Sequence, residues 1–156
     1  SWKNMKPGVQ PSPAINLFGH VDSIQQRQID TKLIEEAIAT GKTDATNNIE
    51  GVYYKMIKEG TGKQVSVNDT TTVFYKVTLF SDGSLVDEAK DKPATFPLKR
   101  LIKAWQIAVP LCKVGGKIKI VLPSDLGYSI RTRSAKIPPN SILVFEIEVI
   151  DAKSPL

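Results

Sequence analysis

Nucleophilic, acid–base and soft-metal chemistry have little to work with in this sequence. Its 156 residues hold one histidine, His20, and one cysteine, Cys112. A Ser-His-Asp site has to use His20, which lies in a proline-rich lead-in. A zinc site of Cys and His ligands lacks the ligands, and no intrachain disulfide can form. Cys112 reads as a small buried hydrophobe, and His20 as a linker residue. Gly60-Thr61-Gly62-Lys63 lacks the spacing of a phosphate loop and the Ser or Thr after its Lys, so it reads as a turn between strands. Asp87, Glu88 and Asp91 match no calcium-loop spacing and read as a solvated acidic turn. Asn68-Asp69-Thr70 is formally a glycosylation sequon, a pattern common by chance. No metal and no cofactor is expected.

What remains is a set of aromatic and aliphatic side chains tied to one acid. Tyr75 and Phe145 fall on inward faces of strand-like runs. Phe96 precedes a helical run that carries Leu101, Ile102 and Trp105. Tyr128 and Ile137 lie in a long loop. Buried phenols need hydrogen-bond partners, and Asp87, directly after Val86, is the candidate partner. An apolar bowl with two phenols and one carboxylate is a binding pocket in outline.

The elements that must position these residues follow from periodicity. Residues 1–21 hold Pro7, Pro11 and Pro13 and read as an extended tether. A helix is expected over about 22–40, with Ile29, Leu33, Ile34, Ala37 and Ile38 on one face and Gly41 as its stop. That face must be buried on the main domain or on a second copy. Residues 41–50 are polar and read as a linker. From Gly51 the texture is strand-like. Val52–Ile57 is one run, and Thr72–Phe80 alternates with Val73, Tyr75, Val77 and Leu79 on one face. Asp82-Gly83 signals a hairpin, and Leu85-Val86 resumes a strand. Leu98–Val109 is expected as a helix ended by Pro110. Lys117–Leu122 and Ser141–Ile150 alternate again, separated by a long loop over 123–140. The pattern is α+β: a curved antiparallel sheet, a half-barrel, wrapped around one short helix, with an N-terminal helical extension.

Hydrophobic residues are 41% and charged residues 24% of the chain, which fits a globular protein. No apolar run approaches the length of a membrane span. The net charge of +5 is uneven: residues 99–136 carry nine basic side chains against Asp125 alone, a local excess of +8. Such a block suits nucleic acid. Here, however, the aromatics sit on inward faces instead of alternating with the basic residues as a stacking surface, so no nucleic-acid partner is expected. The chain begins with Ser1, which reads as a processed or trimmed product.

Five motifs, in order and at fitting distances, carry a resemblance. They are Gly83-Ser84-Leu85-Val86-Asp87; Pro93-Ala94-Thr95-Phe96 with Leu101-Ile102-Lys103-Ala104-Trp105; Val114-Gly115-Gly116-Lys117; Leu122-Pro123-Ser124-Asp125-Leu126-Gly127-Tyr128; and Ile137-Pro138-Pro139-Asn140 through Leu143-Val144-Phe145. Together they resemble the FK506-binding-protein (FKBP) type of peptidyl-prolyl cis-trans isomerase over roughly residues 51–152. The resemblance implies an isomerase domain at 51–156 and X-Pro bond rotation in client polypeptides. It implies Trp105 as pocket floor, with Tyr75, Val86, Phe96, Leu101, Ile137 and Phe145 as walls. It implies that the Ile102 N–H and the Tyr128 hydroxyl contact substrate carbonyls, with Asp87 at the pocket edge. Implied partners are proline-containing unfolded or nascent chains and FK506- or rapamycin-type macrocycles. A looser resemblance to exported bacterial members implies a periplasmic or envelope address, as a processed lipoprotein, with the cytoplasm as the alternative. It leaves a monomer, or a dimer through the N-terminal helix. The sequence departs from the family pattern at Val86, Ala94, Ala104 and Ser129. Val86 and Ala94 motivate a second reading, a non-catalytic proline-peptide binding or chaperone module. The basic residues flanking the pocket motifs, Lys99, Arg100, Lys103, Arg131, Arg133 and Lys136, read as a charged collar favouring acidic residues beside the target proline.

Overall fold

The computed structural model describes residues 23–129 and 134–155. His20, the proline-rich tether, Arg131 and Arg133 lie outside the described residues. The elements are helix α1 (Ser23–Ala39), strands β1 (Asn47–Ile49), β2 (Val52–Lys58), β3 (Thr70–Leu79) and β4 (Leu85–Pro97), helix α2 (Lys103–Ala108), and strands β5 (Lys117–Leu122) and β6 (Leu143–Lys153). The six strands form one antiparallel sheet in the order β1-β2-β5-β6-β3-β4.

Strand alternation assigns the two faces of this sheet. Ile118, Ile120 and Leu122 of β5, Phe145, Ile147 and Val149 of β6, and Val73 and Val77 of β3 are buried with Trp105, Ala104 and Ala108 of α2 in the main core. A side chain of this size stabilises the fold by about 1.5–3 kcal/mol when fully buried. The opposite face is also covered. Tyr53 of β2 and Val121 of β5 pack with Ile34 of α1, Ala45 and Ile142 in a second, smaller core. Helix α1 therefore packs on this chain's own sheet, with Ile34 at the centre of the contact.

Four expectations need correction. The buried stripe of α1 is Gln26, Asp30, Ile34 and Ala37, rotated from the predicted face towards two polar residues. Ile29 is only half-buried, because Asp30 takes the innermost position to accept hydrogen bonds from Ser124. The linker over 41–50 is structured: Ala45 is fully buried, and β1 pairs with β2 from Asn47↔Tyr54 to Ile49↔Val52. Strand β4 continues to Pro97, so Asp87, Glu88 and Asp91 lie on a strand and not in a turn. β4 is a sheet edge paired only with β3. An edge tolerates Pro93 and the lysines at 90 and 92 because one side of its backbone faces no partner strand.

The helix predicted over 98–109 is broken. Leu98–Arg100 is a 3-10 turn, Leu101 and Ile102 are extended, and α2 is short, followed by a second 3-10 turn at Val109–Leu111. The side-chain amide of Gln106 stabilises the break by donating to the Leu101 carbonyl at 2.7 Å and the Lys99 carbonyl at 3.3 Å. Those carbonyls would otherwise take backbone N–H groups of a continuous helix. Gly41 ends α1 as predicted, with φ +77° and its N–H on the Ile38 carbonyl at 3.1 Å.

Candidate functional site

The concave face of the sheet, α2 and the loop after β5 enclose a cavity of about 410 Å³. Trp105 forms its floor and is almost fully buried. The indole meets three rings edge-on: Tyr75 at 6.0 Å, Phe96 at 6.2 Å and Phe145 at 5.5 Å between centroids. Edge-to-face pairs contribute about 0.5–1.5 kcal/mol each beyond area burial, so the floor is held from three sides. Strand period explains why the rings converge. Tyr75 and Val77 share a face of β3, and Phe145 shares the core face of β6 opposite Val77. Phe96 arrives from β4 beside Thr71.

One polar pair stands in this bowl. The Tyr75 hydroxyl donates to Asp87 Oδ2 at 2.7 Å. The other carboxylate oxygen accepts the Glu88 N–H at 2.8 Å, so the carboxylate is fixed at both ends. Burial, reinforced by the Asp87 carboxylate, pushes the Tyr75 phenol up to about 12. It therefore stays a neutral donor across the physiological range. Leu101 and Ile102 reach the wall because the helix is broken there. Ile102 is the N-cap of α2, with extended backbone, and accepts the Trp105 N–H at 3.1 Å. An N-cap residue's own N–H has no partner within its helix.

All ten sequence-predicted residues line this cavity: Asp87, Tyr128, Ile102, Trp105, Tyr75, Val86, Phe96, Leu101, Ile137 and Phe145. Val77 and Ser134 also line it and were missed. Val77 was legible from the alternation that places it with Tyr75. Ser134 lies in the basic stretch between Tyr128 and Ile137, where no pattern marks it. Of the basic collar, Lys99, Arg100, Lys103 and Lys136 are exposed beside wall residues. Lys119, on the outward face of β5, instead joins Lys55 on Asp44, each at 3.1 Å. Ser129, where the family pattern has glycine, adopts φ +50°. A non-glycine residue there costs about 1 kcal/mol, which its N–H bond to the Ser124 carbonyl at 2.8 Å helps to offset.

The decoy Gly60-Thr61-Gly62 is a packing feature. A Cβ on Gly60 would lie 2.4 Å from the carbonyl oxygens of Lys113 and Val114. The turn thus needs glycine to let two backbones touch. A larger groove, about 560 Å³, lies between α1 and the β3–β4 hairpin. It is more open and has no comparable convergence of rings on a fixed polar pair, so the smaller cavity is the better candidate.

A family model described as FKBP-type peptidyl-prolyl cis-trans isomerase matches residues 61–150, a span that contains every expected lining residue. The chain belongs to this family. A probable FKBP-type peptidyl-prolyl cis-trans isomerase FkpA of Neisseria meningitidis is 36% identical over 116 residues, covering 73% of this chain and 42% of that protein. An outer membrane protein MIP of Legionella longbeachae is 39% identical over 105 residues, covering 66% of this chain and 45% of that protein. The crystal structure of FkpA from Escherichia coli superposes with a TM-score of 0.71 at 32% identity, covering 85% of this chain and 62% of that one. The chain thus spans less than half the length of these two curated relatives. The FKBP architecture expected from the sequence, an antiparallel sheet over one short helix with a helical extension, is the one found.

Proposed function

We propose that this chain is a peptidyl-prolyl cis-trans isomerase acting on X-Pro bonds of unfolded or nascent polypeptides. The observation that carries this is the Trp105-floored aromatic bowl with a fixed Tyr75–Asp87 pair at its edge. The X-Pro amide resists rotation with a barrier of about 18–20 kcal/mol because resonance holds it planar. The planar amide separates charge between nitrogen and oxygen more than the twisted one does. A bowl from which the bound peptide displaces water therefore disfavours the planar form more, and that difference lowers the barrier. Donors at Ile102 and Tyr128 hold the flanking carbonyls in a turn that suits the twist. The neutral Tyr75 phenol keeps the Asp87 carboxylate at the bowl's edge. No nucleophile, general base or metal enters this scheme.

The unit that carries the activity is the proposed domain at 51–156, extended by β1 and braced by α1. We read it as a monomer, because the innermost stripe of α1 is already spent on its own sheet. No helix among the described residues is long and apolar enough to cross a membrane. The likeness to a protein named as an outer membrane protein supports a cell-envelope address. FK506-type macrocycles are proposed as competing ligands of the same bowl. A protease-coupled or NMR exchange assay on an X-Pro peptide tests the reading: acceleration by micromolar protein is expected, and a rate equal to background overturns it. A second reading, a non-catalytic proline-peptide binder, is favoured by Val86, which is aliphatic where the family pattern has an aromatic wall. It predicts saturable peptide binding without faster exchange.

A further inference from the structure

The residues on either side of Tyr128 are tied to a network that lies outside the bowl. Ser124 is its hub. The Ser124 carbonyl accepts the N–H of Gly127 at 3.0 Å and of Ser129 at 2.8 Å, the two residues flanking Tyr128. On its other side, the Ser124 N–H and hydroxyl both donate to Asp30 Oδ2 of α1, at 2.8 and 2.6 Å. Asp30 Oδ1 accepts the Gln26 side-chain amide at 2.7 Å. One residue along, Arg27 grips Asp125 with two parallel bonds of 2.7 Å. Two successive residues of the loop are therefore pinned by one turn of α1.

This arrangement is expensive if stability is its only purpose. Asp30 is fully buried, and among the described residues no cation pairs with it directly. A buried carboxylate is weak evidence for stability, since an apolar side chain of similar size often serves as well. An apolar residue at position 30 would simply continue the stripe of Ile34 and Ala37. What Asp30 adds is a directional demand on the Ser124 N–H and hydroxyl, and Arg27 adds a planar one on Asp125.

We propose that Asp30 and Arg27 of the N-terminal helix are positioning residues for the isomerase site, holding the Ser124–Ser129 turn so that Tyr128 meets the substrate carbonyl. This rests on the reading of Tyr128 as a substrate contact. The helix is then part of the site's machinery and not an appendage to it.

The test is a double-mutant cycle with a structural readout beside it. kcat/KM on an X-Pro peptide is measured for the full chain, Asp30→Ala, Tyr128→Phe and the double variant. Amide hydrogen exchange is followed at Gly127 and Ser129, with Ile120 and Phe145 as references in the sheet. Asp30→Ala is expected to lower kcat/KM about tenfold when Tyr128 is present. In the Tyr128→Phe background the same change should cost no more than about twofold, because residues acting as one unit are not additive. Exchange at Gly127 and Ser129 should accelerate while Ile120 and Phe145 keep their protection. Asp30→Asn, which keeps an acceptor oxygen for Ser124, should recover most of the lost kcat/KM. Equal losses in both backgrounds, or unchanged exchange at Gly127 and Ser129, overturn the proposal. Should Asp30→Ala fail to fold, Arg27→Lys keeps the charge but loses the two-pronged fit to Asp125, and the same cycle and exchange pair reads it. If the unmodified chain shows no catalysis, the isomerase reading fails. Accelerated exchange in Asp30→Ala would still uphold the link from helix to loop.

Discussion

Replacing Trp105 with alanine separates a pocket floor from an ordinary core residue. The side chain is 4% exposed and touches three rings edge-on. Truncating such a residue costs about 3–5 kcal/mol. The lower end applies here, because the space left opens into a cavity of about 410 Å³ that solvent can enter. A loss of about 3 kcal/mol lowers the melting midpoint by about 6–12 °C for a chain of this length. Even at the bottom of the usual range of about 5–15 kcal/mol, about 2 kcal/mol of stability remains, and about 97% of molecules stay folded. Unfolding then removes only a few per cent of any activity. Under the proposed mechanism, however, loss of the indole lets water reach the planar amide and removes the differential destabilisation. kcat/KM on an X-Pro peptide should fall about tenfold or more, equivalent to about 1.4 kcal/mol of transition-state stabilisation. Melting and activity are measured on the same preparation. A lowered midpoint with kcat/KM within about twofold of the parent refutes the reasoning and leaves Trp105 as core alone.

Three further outcomes are expected. Tyr75 should ionise only near pH 12 in a spectrophotometric titration compared against Tyr75→Phe, since burial and Asp87 favour its neutral form. The sign follows: its contribution to stability is complete below the ordinary phenol value of about 10 and is lost as pH rises towards 12. In Asp87→Asn the ionisation should begin at lower pH but stay above that ordinary value, because burial is the larger cause. Burial also pushes the Cys112 thiol up to about 11. Alkylating reagents should therefore leave it untouched at neutral pH and label it only in denaturant, which mass spectrometry reads; rapid native labelling would contradict its burial. Gly60→Ala should destabilise the fold by about 2 kcal/mol or more in denaturant titration, because its Cβ would meet the backbone oxygens of Lys113 and Val114; a neutral result would overturn the close-approach account.

Much of the site was legible because two codes agreed. Period-two alternation placed Tyr75 and Phe145 on inward faces, and the ordered motifs brought in residues from loops that have no period, such as Tyr128 and Ile137. All ten expected residues meet around one cavity. The misses have a common physical origin: local pattern fails where a tertiary partner decides the outcome. Gln26 and Asp30 lie outside the apolar face that the spacing marks, yet Ser124, some ninety residues away, gives Asp30 a buried partner, and Gln26 follows by donating to Asp30. The middle of β4, residues 90–93, is exposed on both faces of an edge strand and so carries no alternation that marks it as a strand. Leu101 and Ile102 had helical spacing, but Gln106 stabilises the break that turns them into wall residues. Residues 41–50 looked like a linker because a three-residue strand leaves little trace in composition.

The central place of β6 governs when this molecule can exist at all. β6 is the last strand of the sheet to be synthesised, yet it joins β3 along Leu79↔Leu143 to Thr70↔Lys153 and β5 along Leu122↔Leu143 to Lys117↔Glu148. Without it the sheet falls into two pieces, β1-β2-β5 and β3-β4. The bowl draws Tyr75 and Asp87 from one piece and Tyr128 from beyond the other, so a nascent chain has no site until β6 arrives. Until then both pieces keep apolar faces and unpaired strand edges open to aggregation, the hazard of a fold built on distant pairings. A chain read as hastening the folding of others thus completes its own fold by closing a seam between two halves whose strands are interleaved along the chain.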